Sequence, residues 1–258
     1  MYDLERVPVP PALAPFVEHL WIVGWDLGPR AVDSAVIPFP SLHLTLEWGD
    51  QPDRHGHALP SVLVHGVVTR LFRIRLTGRG GVVGVRFRPG GCAAMFGLDV
   101  SSLTDRVVPA SCVLPSELVA DVSNALAAED PRSCADRMVQ TLVDLASEST
   151  DRQLRLAALI DQMRDDEELT RVDQLPDRCG WTVRTIQRVF RHDVGVGPKW
   201  VLARFRIQEA VLALEQQPGT DLAELAAELG WFDQAHFTNE FRRTMGVTPA
   251  TYQAALRR

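Results

Sequence analysis

The stretch CGWTVRTIQRVFRHDVGVGP, Cys179 to Pro198, is restated 51 residues later, where LGWFDQAHFTNEFRRTMGVTP ends at Pro249. The frame extends upstream: LPDRCGW (Leu175–Trp181) lies over LAAELGW (Leu225–Trp231) at an offset of 50, so the second copy carries one extra residue in its turn. Self-similarity at a fixed period means one supersecondary unit used twice. Whatever the unit is, it must fold and pack in duplicate over the last third of the chain.

Each copy reads as helix, glycine turn, helix. In the first, Gly180 breaks the chain and Thr182 is placed to cap the next helix. Ile186, Val189 and Phe190 make a buried stripe, while Arg184, Gln187, Arg188 and Arg191, at i, i+3, i+4 and i+7, share the outward face. In the second, Asp221 followed by Glu224 gives a box-like cap, Gly230 makes the turn, and Phe237 and Phe241 take the places of Ile186 and Phe190. Its outward face is Ala235, Thr238, Asn239 and Arg242, flanked by Gln234 and His236, and is far less basic. Between the copies, Trp200–Leu214 is amphipathic and EQQPGT stops it.

A short helix packed on one side and bearing Arg, Gln, Arg, Arg on the other suits a DNA major groove. Arginine can bond guanine O6 and N7, glutamine and asparagine can bond adenine, and a spare arginine meets phosphate. One such helix is ordinarily just a solvated helix. Two in repeated frames, each after a glycine turn, favour DNA. The formal net charge of −6 does not oppose this, because residues 171–258 hold 12 Lys and Arg against 10 Asp and Glu. The acidity belongs to the front of the chain, and a phosphate backbone responds to local charge.

Up to about residue 100 the pattern is strand-rich. In AVIPFPSLHLTLEW, Leu42, Leu44 and Leu46 alternate with Ser41, His43 and Thr45. SVLVHGVV, RLFRIRL and GVVGVRFRP follow, the last two expected to be joined by TGRGG as a hairpin turn. From Pro115 the apolar spacing becomes helical, as at Met138, Leu142 and Leu145. Strands first and helices afterwards predict an α+β chain. Its parts are a β-rich domain over 1–114, a helical connector over 115–165, and an all-α domain with the two repeated helix-turn-helix units over 166–258.

Apolar residues at 46 % and charged residues at 23 % are ordinary for globular protein. No apolar run reaches the ~18–20 residues that cross a bilayer, so no membrane partner is expected. MYDLERVPVPPALAPF has charges and prolines where a signal peptide has an apolar block, which makes the cytoplasm the expected compartment. Cys92, Cys112, Cys134 and Cys179 form no C-x-x-C and read as ordinary reduced thiols.

The stretch from about Leu169 to Tyr252 resembles the C-terminal domain of the AraC/XylS family of bacterial transcription regulators. The resemblance rests on RIQEAVLAL and DLAELAAELGWFDQAHFTNEFRRTMGVTPATY. It implies two helix-turn-helix units joined by a long helix, with both recognition helices in successive major grooves of promoter or operator DNA. It makes Arg184, Gln187 and Arg188 the first copy's base-reading candidates and Gln234, His236, Thr238 and Asn239 the second's. Two departures stand out: Asn239 where many members carry arginine, and Pro176 where alanine is usual. Proline is tolerated in a first turn, and capping of that helix by Asp173 would put Pro176 at its third position.

LAPFVEHLW, IPFPSLHLTLEWG and VGVRFRPGG are similar to one group of the sensor domains carried by such regulators. That implies a small-molecule effector and a cupin-like half-barrel, with Trp21, Trp25, Trp48, Phe87 and Phe96 as candidates for its apolar pocket; plain core is the alternative for each. In this family the segment beside the sensor often supports a homodimer, and the Met138–Leu142–Leu145 face would serve. RNA polymerase is a further expected partner.

His43, His55, His57 and His65 fall within 23 residues, but HGHALPSVLV lacks the glutamate of an H-x-H metal frame. It is read as a solvated loop, with no metal or cofactor. Cys92 is the one candidate for an alkyl-transfer enzyme, and it has no activating neighbour in the sequence. No G-x-S-x-G, H-E-x-x-H or paired-carboxylate frame appears, and no enzyme is expected.

Overall fold

Two long strands frame the front of the molecule. In the computed structural model, which describes residues 2–128 and 130–257, β2 (Val17–Val36) and β7 (Phe72–Phe87) pair antiparallel along almost their whole lengths. Around them stand β1 (Tyr2–Val7), β3 (His43–Gly49), β6 (Ser61–His65) and β8 (Val107–Pro109), in the order β1-β2-β7-β3-β6-β8. Among the described residues this is an open sheet with β1 and β8 at its edges. Two short strands, β4 (Asp53–Arg54) and β5 (His57–Ala58), make a separate hairpin.

The TGRGG segment is not the hairpin turn expected from its glycines. β7 runs straight through it, and the irregularity is taken up by a register shift between Asp26 and Ala31 of β2, with Gly78 at φ +59° opposite. The other glycines make room for tryptophan rings. A Cβ on Gly80 would lie 2.7 Å from Trp25, one on Gly81 2.3 Å from Trp48, and one on Gly84 2.3 Å from Trp21. Glycine in a strand weakens it, and the close approach of another group is the usual compensation.

Alternation into and along β3 puts Leu42, just before the strand, and Leu44 and Leu46 within it into the core. Ser41, Thr45 and Glu47 on the opposite face are buried too, so β3 has no solvent side. After the sheet come α1 (Gly91–Phe96), α2 (Ser116–Ala128), α3 (Pro131–Leu145) and α4 (Asp151–Asp165). Helix α3 packs against α2 and the sheet and buries Met138 and Leu142 completely. Of the stripe expected to serve a homodimer, Met138 and Leu142 are therefore internal and only Leu145 is half-buried. Helix α4 starts at a reciprocal capping box between Thr150 and Gln153.

The tail comprises α5 (Leu175–Cys179), α6 (Val183–Val189), α7 (Pro198–Gln216), α8 (Leu222–Glu228), α9 (Gln234–Met245) and α10 (Pro249–Leu256). One hydrophobic core runs from the sheet through α3 and α4 into α6 and the first half of α7, ending at Phe205. Ile207, Ala210, Leu214, Leu225, Ala226, Phe237 and Phe241 form a second, smaller core. Helix α7 belongs to both. No helix among the described residues is long and apolar enough to cross a membrane.

Candidate nucleic-acid interface and front cavity

The first repeat folds by the signals its sequence carries. Helix α5 ends at Gly180, whose φ of +69° is the left-handed conformation that glycine adopts at no steric cost. Thr182 caps α6 by accepting from the Thr185 N–H at 3.2 Å. Ile186, Val189 and Phe190 are buried, and Arg184, Gln187, Arg188 and Arg191 are exposed. Among the described residues no carboxylate lies within ion-pair distance of those three arginines. Asp173 does not cap α5: it pairs with Arg171, and a short 3-10 turn (Val172–Gln174) precedes the helix. Pro176 still falls in the first turn, where its missing N–H has no intrahelical partner to lose.

Helix α6 continues into a π-helical turn, Phe190–Val194, that ends at Gly195. Such turns are rare in helices and concentrate at functional sites. This one is held to the front of the molecule. Asp193, nearly buried, accepts from Arg152 of α4 at 2.7 and 2.8 Å, and His192 Nδ1 lies 2.6 Å from the same carboxylate. Thr104 donates to the Gly195 carbonyl at 2.7 Å. A Cβ on Gly195 would lie 2.9 Å from Val100, so backbone meets side chain there with no room to spare.

The second repeat uses the same devices. Asp221 caps α8 by accepting from the Ala223 and Glu224 N–H groups. Gly230 turns at φ +75°. Asp233, which the sequence reading did not single out, caps α9 by accepting from His236 N–H at 2.6 Å. Phe237 and Phe241 are fully buried. Gln234, His236, Asn239 and Arg242 are exposed and Thr238 is half-buried. Arg242 donates to the Asn239 side-chain oxygen at 3.1 Å, so this face is partly engaged with itself. Phe232, in the turn, is 91 % exposed, which nothing in the sequence pattern had marked.

A family model described as a helix-turn-helix domain matches residues 175–255, and one described as a domain of unknown function (DUF6597) matches residues 5–109. The tail of the chain is thus a helix-turn-helix domain. It is 27 % identical over 101 residues to an uncharacterized HTH-type transcriptional regulator of Haemophilus influenzae, a match covering 39 % of this chain and 33 % of that protein. It is 28 % identical over 100 residues to the HTH-type transcriptional regulator MtrA of Neisseria gonorrhoeae, covering 38 % of this chain and 33 % of MtrA. The chain thus matches about a third of the length of each of these relatives. Among solved structures, ToxT from Vibrio cholerae O395 aligns over 99 % of this chain and 97 % of its own at 11 % identity, with a TM-score of 0.41.

In front of the helix-turn-helix tail, the polar face of β3 opens on a cavity of about 120 Å³. Trp21, Ile37, Phe39, Phe72 and Ile74 supply apolar wall, and Ser41, His43, Thr45, Glu47, Arg54, His55 and His65 supply the polar part. Glu47 is the centre of the polar cluster. Thr45 donates to its Oε1 at 2.8 Å, His65 Nε2 lies 2.9 Å from the same oxygen, and Arg54 donates to Oε2 at 3.0 Å. His55 Nε2 lies 3.6 Å from Oε2.

Burial alone would raise the Glu47 carboxyl, but the hydrogen bond from His65 and the His65 and His55 charges outweigh it and hold the group at about 2. Burial pushes His55 down to about 4 and His43 down to about 3, so both imidazoles are neutral near pH 7. His55 and His65 are therefore not in a solvated loop. Their glutamate lies upstream on a neighbouring strand, where an H-x-H frame would not look for it. His57 stands apart, 3.3 Å from the Val107 carbonyl.

Of the five aromatic candidates, Trp21 lines this cavity and donates to His43 Nδ1 at 3.3 Å. The Trp25 ring lies under the Arg54 guanidinium at 4.7 Å, and Trp48 packs over Gly81. Phe87 and Phe96 meet edge-to-face in the main core. Burial pushes the Cys92 thiol up to about 12, the opposite of what a reactive thiolate needs.

Proposed function

We propose that the protein is a one-component, sequence-specific DNA-binding transcription regulator, with a ligand-sensing front domain over 1–114, a connector over 115–165 and the DNA-reading tail over 166–258. The observation that carries this is the first recognition face. Arg184, Gln187, Arg188 and Arg191 stand exposed on a helix whose opposite side is buried, and the same frame recurs in α9. Arg184, Gln187 and Arg188 read bases, Arg191 meets phosphate, and Gln234, His236, Thr238, Asn239 and Arg242 form the second, weaker reader. Helix α7, 19 residues long, rises about 28 Å, the scale of the ~34 Å between successive major grooves on one side of DNA. The names of the two relatives, both HTH-type transcriptional regulators, point the same way.

In this reading the cavity reports to the tail through Phe39. Its ring lines the cavity and meets Phe205 of α7 edge-to-face at 5.9 Å. Cytoplasmic double-stranded DNA is the partner, RNA polymerase the expected further one, and no catalytic role is assigned. The fluorescence anisotropy of labelled DNA from upstream of the protein's own gene, set against scrambled DNA over several salt concentrations, tests the reading. A preference that survives physiological salt, with protection of two adjacent major grooves, is the expected result. Equal, salt-labile binding to both DNAs, with and without divalent ions, would remove sequence-specific reading.

A further inference from the structure

At about 120 Å³ the front cavity is well below the roughly 300–1,000 Å³ of an ordinary organic-ligand pocket. A sensor of this size takes something small, and its polar part has the donors for an ion. One side-chain donor atom from each of Glu47, His55 and His65 lies within 4.8 Å of the other two. Donors held about 2.0–2.2 Å from one tetrahedral ion lie about 3.3 Å apart. The separations from the two Glu47 oxygens, 2.9 Å from Oε1 to His65 Nε2 and 3.6 Å from Oε2 to His55 Nε2, fall on either side of that value.

We propose that Glu47, His55 and His65 bind a transition-metal ion on the wall of the front cavity. Two imidazoles and one carboxylate suit zinc or iron(II), with the remaining positions open to the cavity. The groups around the triad hold it in place. Thr45 fixes one Glu47 oxygen and Arg54 the other, and carboxylates that bind metals are characteristically hydrogen-bonded in this way. Arg54 is itself held from behind by the Trp25 ring and the Trp48 carbonyl. Because Arg54 offsets the Glu47 charge, the ion is taken mainly through imidazole nitrogen. Calcium and magnesium, which want several oxygens, are therefore excluded. The inference deepens the reading of the cavity as a sensor, and its test reads the ion directly, so its failure leaves DNA binding by the tail untouched.

The full-length protein, stripped with a chelator and dialysed against zinc or cobalt(II), is expected to retain one equivalent of either ion in the presence of excess magnesium. The cobalt form should show the visible bands of nitrogen and oxygen ligands without a thiolate charge-transfer band. His55→Ala and His65→Ala should each weaken retention by at least about tenfold, while His57→Ala and Cys112→Ser keep it. Circular dichroism checks that each variant is folded. Failure of the unsubstituted protein to retain an ion would overturn the proposal without recourse to any variant. So would a thiolate band, or retention unchanged in the folded His55→Ala, His65→Ala double variant.

Discussion

The first helix-turn-helix unit places Ile186, Val189, Phe190 and Val194 in the same core as the front sheet, whereas the second keeps Phe237 and Phe241 in a small core of its own. Their recognition faces differ in the same sense. Arg184, Arg188 and Arg191 point outward with no carboxylate beside them among the described residues, while Arg242 is engaged with Asn239 and Arg243 lies 3.8 Å from Glu240. A duplicated frame therefore yields two parts with different work. The first is strongly basic and fixed to the front domain. The second is less basic and reaches the rest of the molecule chiefly along α7. A change in the front can reposition the first unit through the shared core, while it reaches the second along α7 and at the close approach of Gly246 to Leu71.

The largest effects should come from emptying the two cores in turn. Phe190→Ala and Phe241→Ala each remove a fully buried ring, a change that costs about 3–5 kcal/mol. Their reach should differ. Phe190→Ala is expected to speed amide exchange in α6, α4 and the turn around Val100–Leu103, because these share one core. Phe241→Ala should speed it from α8 to α10 and leave the front sheet protected. Hydrogen exchange read by mass spectrometry on both variants decides this. The same exchange pattern in the two would show that the smaller core is not an independent unit.

A smaller difference is expected in DNA affinity. Arg188→Ala should cost ~1–3 kcal/mol and relax preference at one base pair. Asn239→Ala should cost less than Arg188→Ala, since its amide oxygen already accepts from Arg242 at 3.1 Å. Anisotropy titrations against single-base variants of the site measure both. Loss from Arg188→Ala that is uniform across sequences, with a shallower salt dependence, would move Arg188 from base to phosphate. An equal loss from Asn239→Ala would make the second reader the peer of the first.

The tail was legible because its signals are local. Gly180, Thr182, Asp221 and Gly230 act within a turn or two, and the repeat confirms each reading with a second copy. The front was legible only where the same rule held. Strand β3 shows its alternation, but nothing in SLHLTLEW says that its polar face is buried as deeply as its apolar one. GRGGVVG looks like a turn because glycine usually marks one. Its actual partners, Trp21, Trp25 and Trp48, lie 32 to 63 residues upstream and are brought to it by strand pairing. The apolar spacing of Met138, Leu142 and Leu145 gives a face and not what covers it: Met138 and Leu142 are buried within the chain, and Leu145 is half-buried. Glu47, His55 and His65 meet only when β3 pairs with β6 and the β4–β5 hairpin folds back. The Asp193–Arg152 contact likewise spans 41 residues and leaves no local trace.

That contact gives the smallest effect expected here. Arg152 is half-exposed while Asp193 is nearly buried, so the pair resembles a surface ion pair on one side only. Exposed pairs contribute at most about 1 kcal/mol, and salt screens them. Removing the arginine also leaves Asp193 with His192 at 2.6 Å, so the carboxylate is not orphaned. Arg152→Ala should therefore lower the melting temperature slightly in dilute buffer and hardly at all in high salt. Packing against Val100, not charge, would then be what fixes the first unit to the front. A loss as large as that from Phe190→Ala, persisting in high salt, would reverse this order. The two units would then differ because one ion pair anchors the first, and the difference could be erased by a single side chain.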